Sequence, residues 1–551
     1  MMSHGVPAPT GTPSILRPDL VCSPRPMPPG TCVGLQGERV VAVGEHDAVR
    51  STLGDDPALV ELPGHTVTPG FIDAHVHPMP AAFFEHHLDV SECTSLAELH
   101  DLLADRARET PDGGVVLALR LDDSRLVEGR LPTRVELDRV STEHPVVVMR
   151  RDGHHAIGSS SALRAAGFGP DSQDPPGGYL GRADDGSLVG LCAETASSML
   201  LGIVPTPEWD DLVAGLRRWT VRLSSQGVTS IGAMCQTGDE GPAGAAGELE
   251  AVAFSALVEQ VPLDVQTILI TAEVAEVDRQ RATALHDPPS GRRLDAVKLF
   301  LDGTLGGHSA CLHQPYGDRG GSTGMLTLDP DDAYARMAAA HLAGWAVCVH
   351  AIGDRTNSLA VELFSRLLER HPAPHRHRIE HASVLTDETV DRLAQLGVAA
   401  VVQPISIRSE RDWLEQRLGV DRLARVYRFR DLLDAGAVVA GSSDSPIEES
   451  GVIEAMDAAV RRGAICPEQA VTPLEALAMY TTGGARAIGA HDQGQLSTGA
   501  LADMVVLRGR PTDGWDGVTV AATLRRGAAT HVDPALTPAF AAAGLLEQTQ
   551  D

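Results

Sequence analysis

The sequence predicts an α/β chain built around a (β/α)8 barrel, on three observations. Eight short apolar runs follow one another at Thr68–His77, Val228–Ala233, Asp264–Ile270, Ala296–Leu301, Ala346–His350, Arg378–His381, Val398–Gln403 and Val438–Gly441, and read as strands. Between most of them lie segments with apolar residues three and four apart, among them 331–342, 357–369, 387–396 and 423–435, which read as helices. Five of the eight runs end at or near a His, Lys or Asp, and a barrel of the TIM type keeps its chemistry at the C-terminal ends of its strands.

Taken in chain order, the first fourteen or so residues are rich in Pro, Gly, Ser and Thr and read as a loose end. From Val33 to Val67 short β-like pieces (CVGLQ, RVVAVG, ALVELPGHTV) show no helical period, and similar pieces recur in GQLSTGALADMVVLRG and ATLRRG. One small β-sandwich domain made from both termini, residues 15–67 with 494–535, accounts for both, and leaves 68–493 for the barrel. The gap after the first barrel strand is too long for a single helix. Residues 83–201 therefore read as an inserted α/β domain, with strands in GVVLALR and PVVVMR and a loop in RRDGHHAIGSSSAL. The residues after Leu546 read as a polar tail.

Composition narrows the function. At 551 residues, 43% hydrophobic and 22% charged, the chain is of globular type and long enough for a barrel with accessory domains. A formal charge of −29 argues against a nucleic-acid or anionic-membrane partner, since either would require a basic face, and it points to a small-molecule substrate. No run approaches the roughly 18 apolar residues of a membrane span. The eight cysteines are scattered without a CxxC pair, and MMSHGVPAPTGTP has no basic start leading into an apolar stretch, so the expectation is free thiols in a reducing, cytoplasmic setting.

Six residues form the candidate metal set. In PGFIDAHVHP, His75 and His77 are two apart on one strand and so share a face, where both imidazoles can grip one ion. Lys298 lies inside the apolar VKLFL, where an unpaired ammonium is costly to bury. Either its head escapes the core or pairs with Asp302 or Glu380, or burial keeps the amine neutral enough to capture carbon dioxide as a carbamate. His350 ends WAVCVH, His381 ends RIEH, and Asp444 sits in GSSDSP just past an apolar strand. Each alone has a structural alternative, a satisfied core histidine or a helix cap. Together, in this order on five strand ends, they point to a metal centre.

These motifs resemble those of the amidohydrolase superfamily over nearly the whole chain, from VVAVG to GALADMVVL. KLFLDGTLGG, HAIGDR, RIEHA, GSSDSP and the long insertion resemble the branch that includes N-substituted formamide deformylases. The resemblance implies a β-sandwich beside the barrel, a homodimer, and two divalent ions, usually zinc. His75, His77 and Asp444 would hold the first ion, His350 and His381 the second, and carboxylated Lys298 would bridge them. Such a pair, about 3.5–4 Å apart, polarises a carbonyl and activates water, and Asp444 is the candidate base that later protonates the departing nitrogen. The expected reaction is hydrolysis of a non-peptide C–N bond in an amide, an N-substituted formamide or a cyclic amide. Deamination of a nitrogen heterocycle at one metal, lactone or ester hydrolysis, and a catalytically silent binding barrel are the alternatives. His154 in the insertion, Asp302, Asp354 and Gln403 are candidate substrate contacts, each with loop capping or another structural role as its competitor.

Overall fold

The computed structural model describes residues 12–546 except 55, 124, 152–154, 176–177, 206, 239–243 and 464. It divides into two units, residues 79–219 and the rest of the chain. In the larger unit eight strands, hydrogen-bonded in parallel, make one sheet in chain order: β1 (Phe71–Val76), β2 (Val228–Gln236), β3 (Asp264–Ile270), β4 (Arg292–Phe300), β5 (Ala346–Ala351), β6 (Arg378–His381), β7 (Ala399–Val402) and β8 (Val439–Gly441). Most positions of these strands are buried on both faces, which is why they read as unbroken apolar runs without alternation. Helices at Pro330–Leu342, Asp354–Arg370 and Asp387–Leu396 return the chain between strands. The first starts where Asp329 accepts from the Asp331 and Asp332 amides; the third starts on Thr386 and stops at Gly397, whose φ of 67° is the left-handed cap that glycine permits.

β1 and β8 are the two ends of this sheet, and the barrel closes just past their C-terminal ends. The Asp444 amide donates to the His75 carbonyl at 2.9 Å, and the His77 amide donates to Ser445 at 2.8 Å. Asp73 adds a side-chain clasp, its carboxylate accepting from the Ser443 amide at 2.9 Å and the Ser443 hydroxyl at 2.6 Å. Inside, Met234, Ile268, Ala296, Ala346 and Cys348 pack as one buried apolar cluster, and strand alternation sets Lys298 and His350 on that same face.

Strands from both ends of the chain combine in a single seven-stranded sheet. Its order is Ala528–Val532, Thr519–Arg525, Met504–Arg508, Ala58–Pro69, Ser14–Val21, Thr31–Gln36 and Arg39–Glu45. It is tied to the barrel where the Gly70 amide donates to Asp503 at 2.8 Å. Asp264, at the start of β3, accepts from Arg525 Nε at 2.8 Å, Arg526 Nε at 3.0 Å and Gln493 Nε2 at 2.7 Å. Residues 79–219 carry a six-stranded sheet of their own, with one buried apolar cluster around Leu117, Val147 and Leu180 and another around Val116, Val148 and Leu103. All eight cysteines are buried and unpaired. Among the described residues no helix is long and apolar enough to cross a membrane.

Two expected elements are corrected. The run 68–77 is two strands, because Thr68 and Pro69 still pair antiparallel with Val505 and Met504 in the terminal sheet, and β1 starts only after Gly70 and stops at Val76. The run 423–435 is not one helix. Short helices at Val420–Leu423 and Phe429–Asp434 flank a turn and an isolated bridge from Val426 to Val384, where the Tyr427 amide donates to Ser383 at 2.8 Å and the Leu385 amide to Arg425 at 2.9 Å. Pairing with the chain beyond β6 wins over the helical spacing, and Tyr427, at φ 51°, makes the turn.

The β1–β2 register contains a bulge: Ile231 faces Asp73 and Ala233 faces Val76, so Gly232 opposes both Ala74 and His75. A Cβ at Gly232 would lie 2.1 Å from the Ala74 carbonyl oxygen, and only backbone movement can relieve that contact. Gly232→Ala should therefore lower stability by about 1–3 kcal/mol, as overpacking of a tight interior does, read as a lower urea midpoint at unchanged slope.

Candidate metal centre

The strand-end imidazoles meet at the seam between β1 and β8. His75 Nε2 lies 3.4 Å from His77 Nε2, and Asp444 Oδ1 lies 3.3 Å from the first and 3.2 Å from the second. His77 stands just beyond β1, so its ring reaches the site from the turn, while His75 is fully buried in the strand. Asp444 adopts φ 59°, a left-handed conformation uncommon for a non-glycine residue, and it is held there by its amide bond to His75.

His381 and His350 extend the cluster. His381 lies 5.2 Å from His75 and 4.4 Å from His350, ring centre to ring centre. Alternation would put Glu380 and His381 on opposite faces of β6, yet both face the interior. The reason is backbone conformation: His381 has φ 72° and Ala382 φ 44°, which swing the ring back over the barrel mouth. His75, His381 and Asp444 bring one ligand atom each to within 4.8 Å of one another. Lys298 is fully buried, its ammonium nitrogen 4.8 Å from the centre of the Phe300 ring, and Phe300 also lies against His350 at 5.2 Å.

Hydrogen bonds fix which nitrogen of each ring is available. Glu380 Oε2 is 2.7 Å from His75 Nδ1; burial alone would raise this carboxyl, but Arg378 and His75 hold it well below its ordinary range. An ionised carboxylate only accepts, so Nδ1 carries the His75 proton and Nε2 presents a lone pair. His381 Nδ1 likewise donates to Gln403 Oε1 at 3.0 Å, and Gln403 Nε2 donates to Ser442 Oγ at 2.8 Å. His350 is turned the other way, its Nε2 donating to the Gly303 carbonyl at 3.2 Å while Nδ1 is buried with no hydrogen-bond partner among the described residues.

Burial sets the charge states. It lowers His75 to about 3 and pushes His350 and His381 below the usual histidine range, so these imidazoles are neutral. Burial also lowers Lys298, against the pull of Glu380 and Asp444. Burial works upward on Asp444, and the downward pull comes from positive charge on the imidazoles, His75 first; with those rings neutral, an ionised Asp444 has no counter-charge from them. The consequence is an unfavourable contact: the His75 Nε2 lone pair faces the Asp444 carboxylate at 3.3 Å, acceptor against acceptor. A cation between them turns that repulsion into coordination. The residues present therefore fit a divalent metal, with neutral imidazoles and a carboxylate as donors.

The candidate substrate contacts are engaged elsewhere. Asp302, buried, accepts from three backbone amides, Cys311 and Gly353 at 2.9 Å and Ile352 at 3.1 Å, and so pins the rim loops after β4 and β5. Asp354 accepts from the His313 amide at 2.9 Å and faces Arg425 at 3.4 Å. Gln403 holds His381, as above. For these three the structural alternative is the one their hydrogen bonds favour. His154 lies outside the described residues. Glu380, Arg378 and Asp73 were not singled out by the sequence reading as parts of the site. The signal for the first two was available in RIEH: two charged residues, two apart, on a strand buried on both faces.

Comparison with known proteins agrees with this architecture. The model of the amidohydrolase family matches residues 58–531. The amidohydrolase YtcJ of Bacillus subtilis is 29% identical over 507 residues, covering 86% of this chain and 92% of its own. The N-substituted formamide deformylase of Arthrobacter pascens is 26% identical over 496 residues, 87% of this chain and 90% of its own. A crystal structure of an uncharacterized metal-dependent hydrolase from Pyrococcus furiosus superposes with a TM-score of 0.70 at 26% identity, covering 91% of this chain and all of that one. With the barrel, the strand-end ligand cluster and a family match spanning most of its length, the chain belongs to the amidohydrolase family.

Proposed function

We propose that the protein is a metal-dependent hydrolase that cleaves a non-peptide C–N bond in an amide, an N-substituted formamide or a cyclic amide. The observation that carries this reading is the triangle of His75 Nε2, His77 Nε2 and Asp444 Oδ1, with sides of 3.2–3.4 Å. Its similarity to a formamide deformylase and to a metal-dependent hydrolase supports the same direction. His75, His77 and Asp444 would hold one ion and His350 and His381 a second. Lys298 would link them once its neutral amine has attacked carbon dioxide through nitrogen and lost a proton, giving an anionic carbamate with two donor oxygens. Zinc suits a donor set rich in imidazole with few carboxylates. Bound metal supplies polarisation of the substrate carbonyl and a water acidic enough to attack near neutral pH.

The chain's own residues then manage the proton. The Asp444 carboxylate stands at the barrel mouth beside both imidazoles, so it is placed to take the water's proton. The same carboxyl returns that proton to the departing nitrogen, which leaves as an amine. Neutral His75 and His381, each anchored through Nδ1, keep their Nε2 lone pairs pointed at the metal side throughout. A second reading, a one-metal deaminase of a nitrogen heterocycle, is favoured by the compactness of His75, His381 and Asp444 alone.

Asp444→Asn should retain the fold and lose roughly 100-fold or more of turnover on N-substituted formamides or amides, the usual scale for a general base; activity within a few-fold of wild type removes Asp444 from that role. Metal content per chain, measured by plasma mass spectrometry on protein purified without chelators, should be about two in wild type and clearly lower in Lys298→Ala, as a bridging ligand requires. One ion per chain, unchanged by the substitution, selects the deaminase reading, and none sinks the metal centre altogether.

A further inference from the structure

Beneath the ligand triangle lies a buried charge pair that the proposed chemistry does not itself use. Glu380 is wholly buried, and its two oxygens are taken by the Arg378 guanidinium, through Nε and through Nη2 at 3.0 Å, and by His75 Nδ1 at 2.7 Å. Arg378 Nη2 also donates to the carbonyl of Ala74, the residue before His75, at 2.7 Å. One guanidinium therefore holds the backbone next to His75 and, through Glu380, its ring. We propose, on the metal-centre reading above, that Arg378 and Glu380 form a positioning pair that sets the tautomer, ring angle and donor strength of His75 toward a metal ion.

Three arguments carry this. An imidazole in a strand can turn about its side-chain bonds and exchange its proton between nitrogens, and a carboxylate acceptor at Nδ1 fixes both choices. The partner's charge matters as well: His381 is oriented by the neutral Gln403 amide, whereas His75 leans on an anion, which makes its Nε2 the richer donor. Stability is a weak explanation for the pair, since a buried ion pair is often no more stabilising than apolar side chains of similar volume, and apolar residues dominate the interior layers of such barrels.

The test is metal affinity, measured by competition with a chromophoric chelator for Zn2+ and Co2+ on the stripped full-length chain. Wild type, Glu380→Gln, and the double variant Arg378→Met with Glu380→Gln are compared, with the urea midpoint of each metal-free protein recorded beside it. Gln at position 380 still offers an oxygen to Nδ1 but no charge. The double variant removes both charges together, so no guanidinium is left orphaned if the single variant folds poorly. The expected result is a loss of roughly 10–100-fold in affinity for the ion held by His75 in both variants, with an altered Co2+ absorption spectrum. Affinity within two-fold of wild type with a lowered metal-free midpoint would make the pair purely structural and overturn the proposal while the metal centre stands. A wild-type chain that takes up neither ion would overturn the metal-centre reading first, and this proposal with it.

Discussion

The closure of the barrel between β1 and β8 is the constraint on which the rest depends. Two backbone hydrogen bonds cross that seam, Asp444 to His75 and His77 to Ser445, and the Asp73–Ser443 clasp lies directly beneath them. The residues that close the sheet are the ones whose side chains converge. Asp444 uses its amide to join the strands and its carboxylate to meet both imidazoles, so barrel geometry and ligand geometry are set by one local conformation. That conformation is left-handed at Asp444 and again at His381. Strain of this kind, about 1–3 kcal/mol per residue, persists only where neighbouring bonds over-determine it, and at Asp444 the seam does so.

A second consequence is the polarity of the interior. Around the apolar cluster of Met234, Ile268 and Ala346 the barrel also buries Asp73, Lys298, Arg378 and Glu380 with three histidines, and half-buries Asp444. Arg378 and Glu380 compensate each other. Asp73, pushed up by burial to about 7, has the Ser443 amide and hydroxyl and the His75 amide as its donors. Burial favours neutral forms of His75, His350 and His381, which then do not offset Asp444, and it lowers Lys298 against the pull of Glu380 and Asp444. A cation seated between these rings and the Asp444 carboxylate would balance the carboxylate's charge.

Much of this was legible in the sequence, and the limits are physical. The eight strands are visible because both faces are buried and the apolar runs are continuous; the ligands are visible because they interrupt or end those runs. The run 68–77 reads as one strand because nothing local separates Thr68–Pro69 from Phe71–Val76, and only pairing with Met504–Val505 assigns the former to the terminal sheet. The helix across 423–435 fails because a segment near Tyr427 finds hydrogen bonds beside Ser383 and Leu385, forty residues away, which no local period records. At His381 a local signal falls short: alternation points Glu380 inward, and a backbone turn at His381 and Ala382 brings the His381 ring in as well.

The rim contacts show where sequence reading loses its hold. Asp302, Asp354 and Gln403 are polar residues at strand ends, the very description of a substrate contact, yet each has its hydrogen-bonding capacity directed into the protein. A carboxylate that accepts three backbone amides is a loop anchor, and its three donors come from residues 9, 50 and 51 positions away. Anchors of this type free the remaining loop residues to vary without disturbing the ligands. On the proposed hydrolase reading, recognition of a substrate's variable part would fall to side chains outside the metal set and outside its anchors.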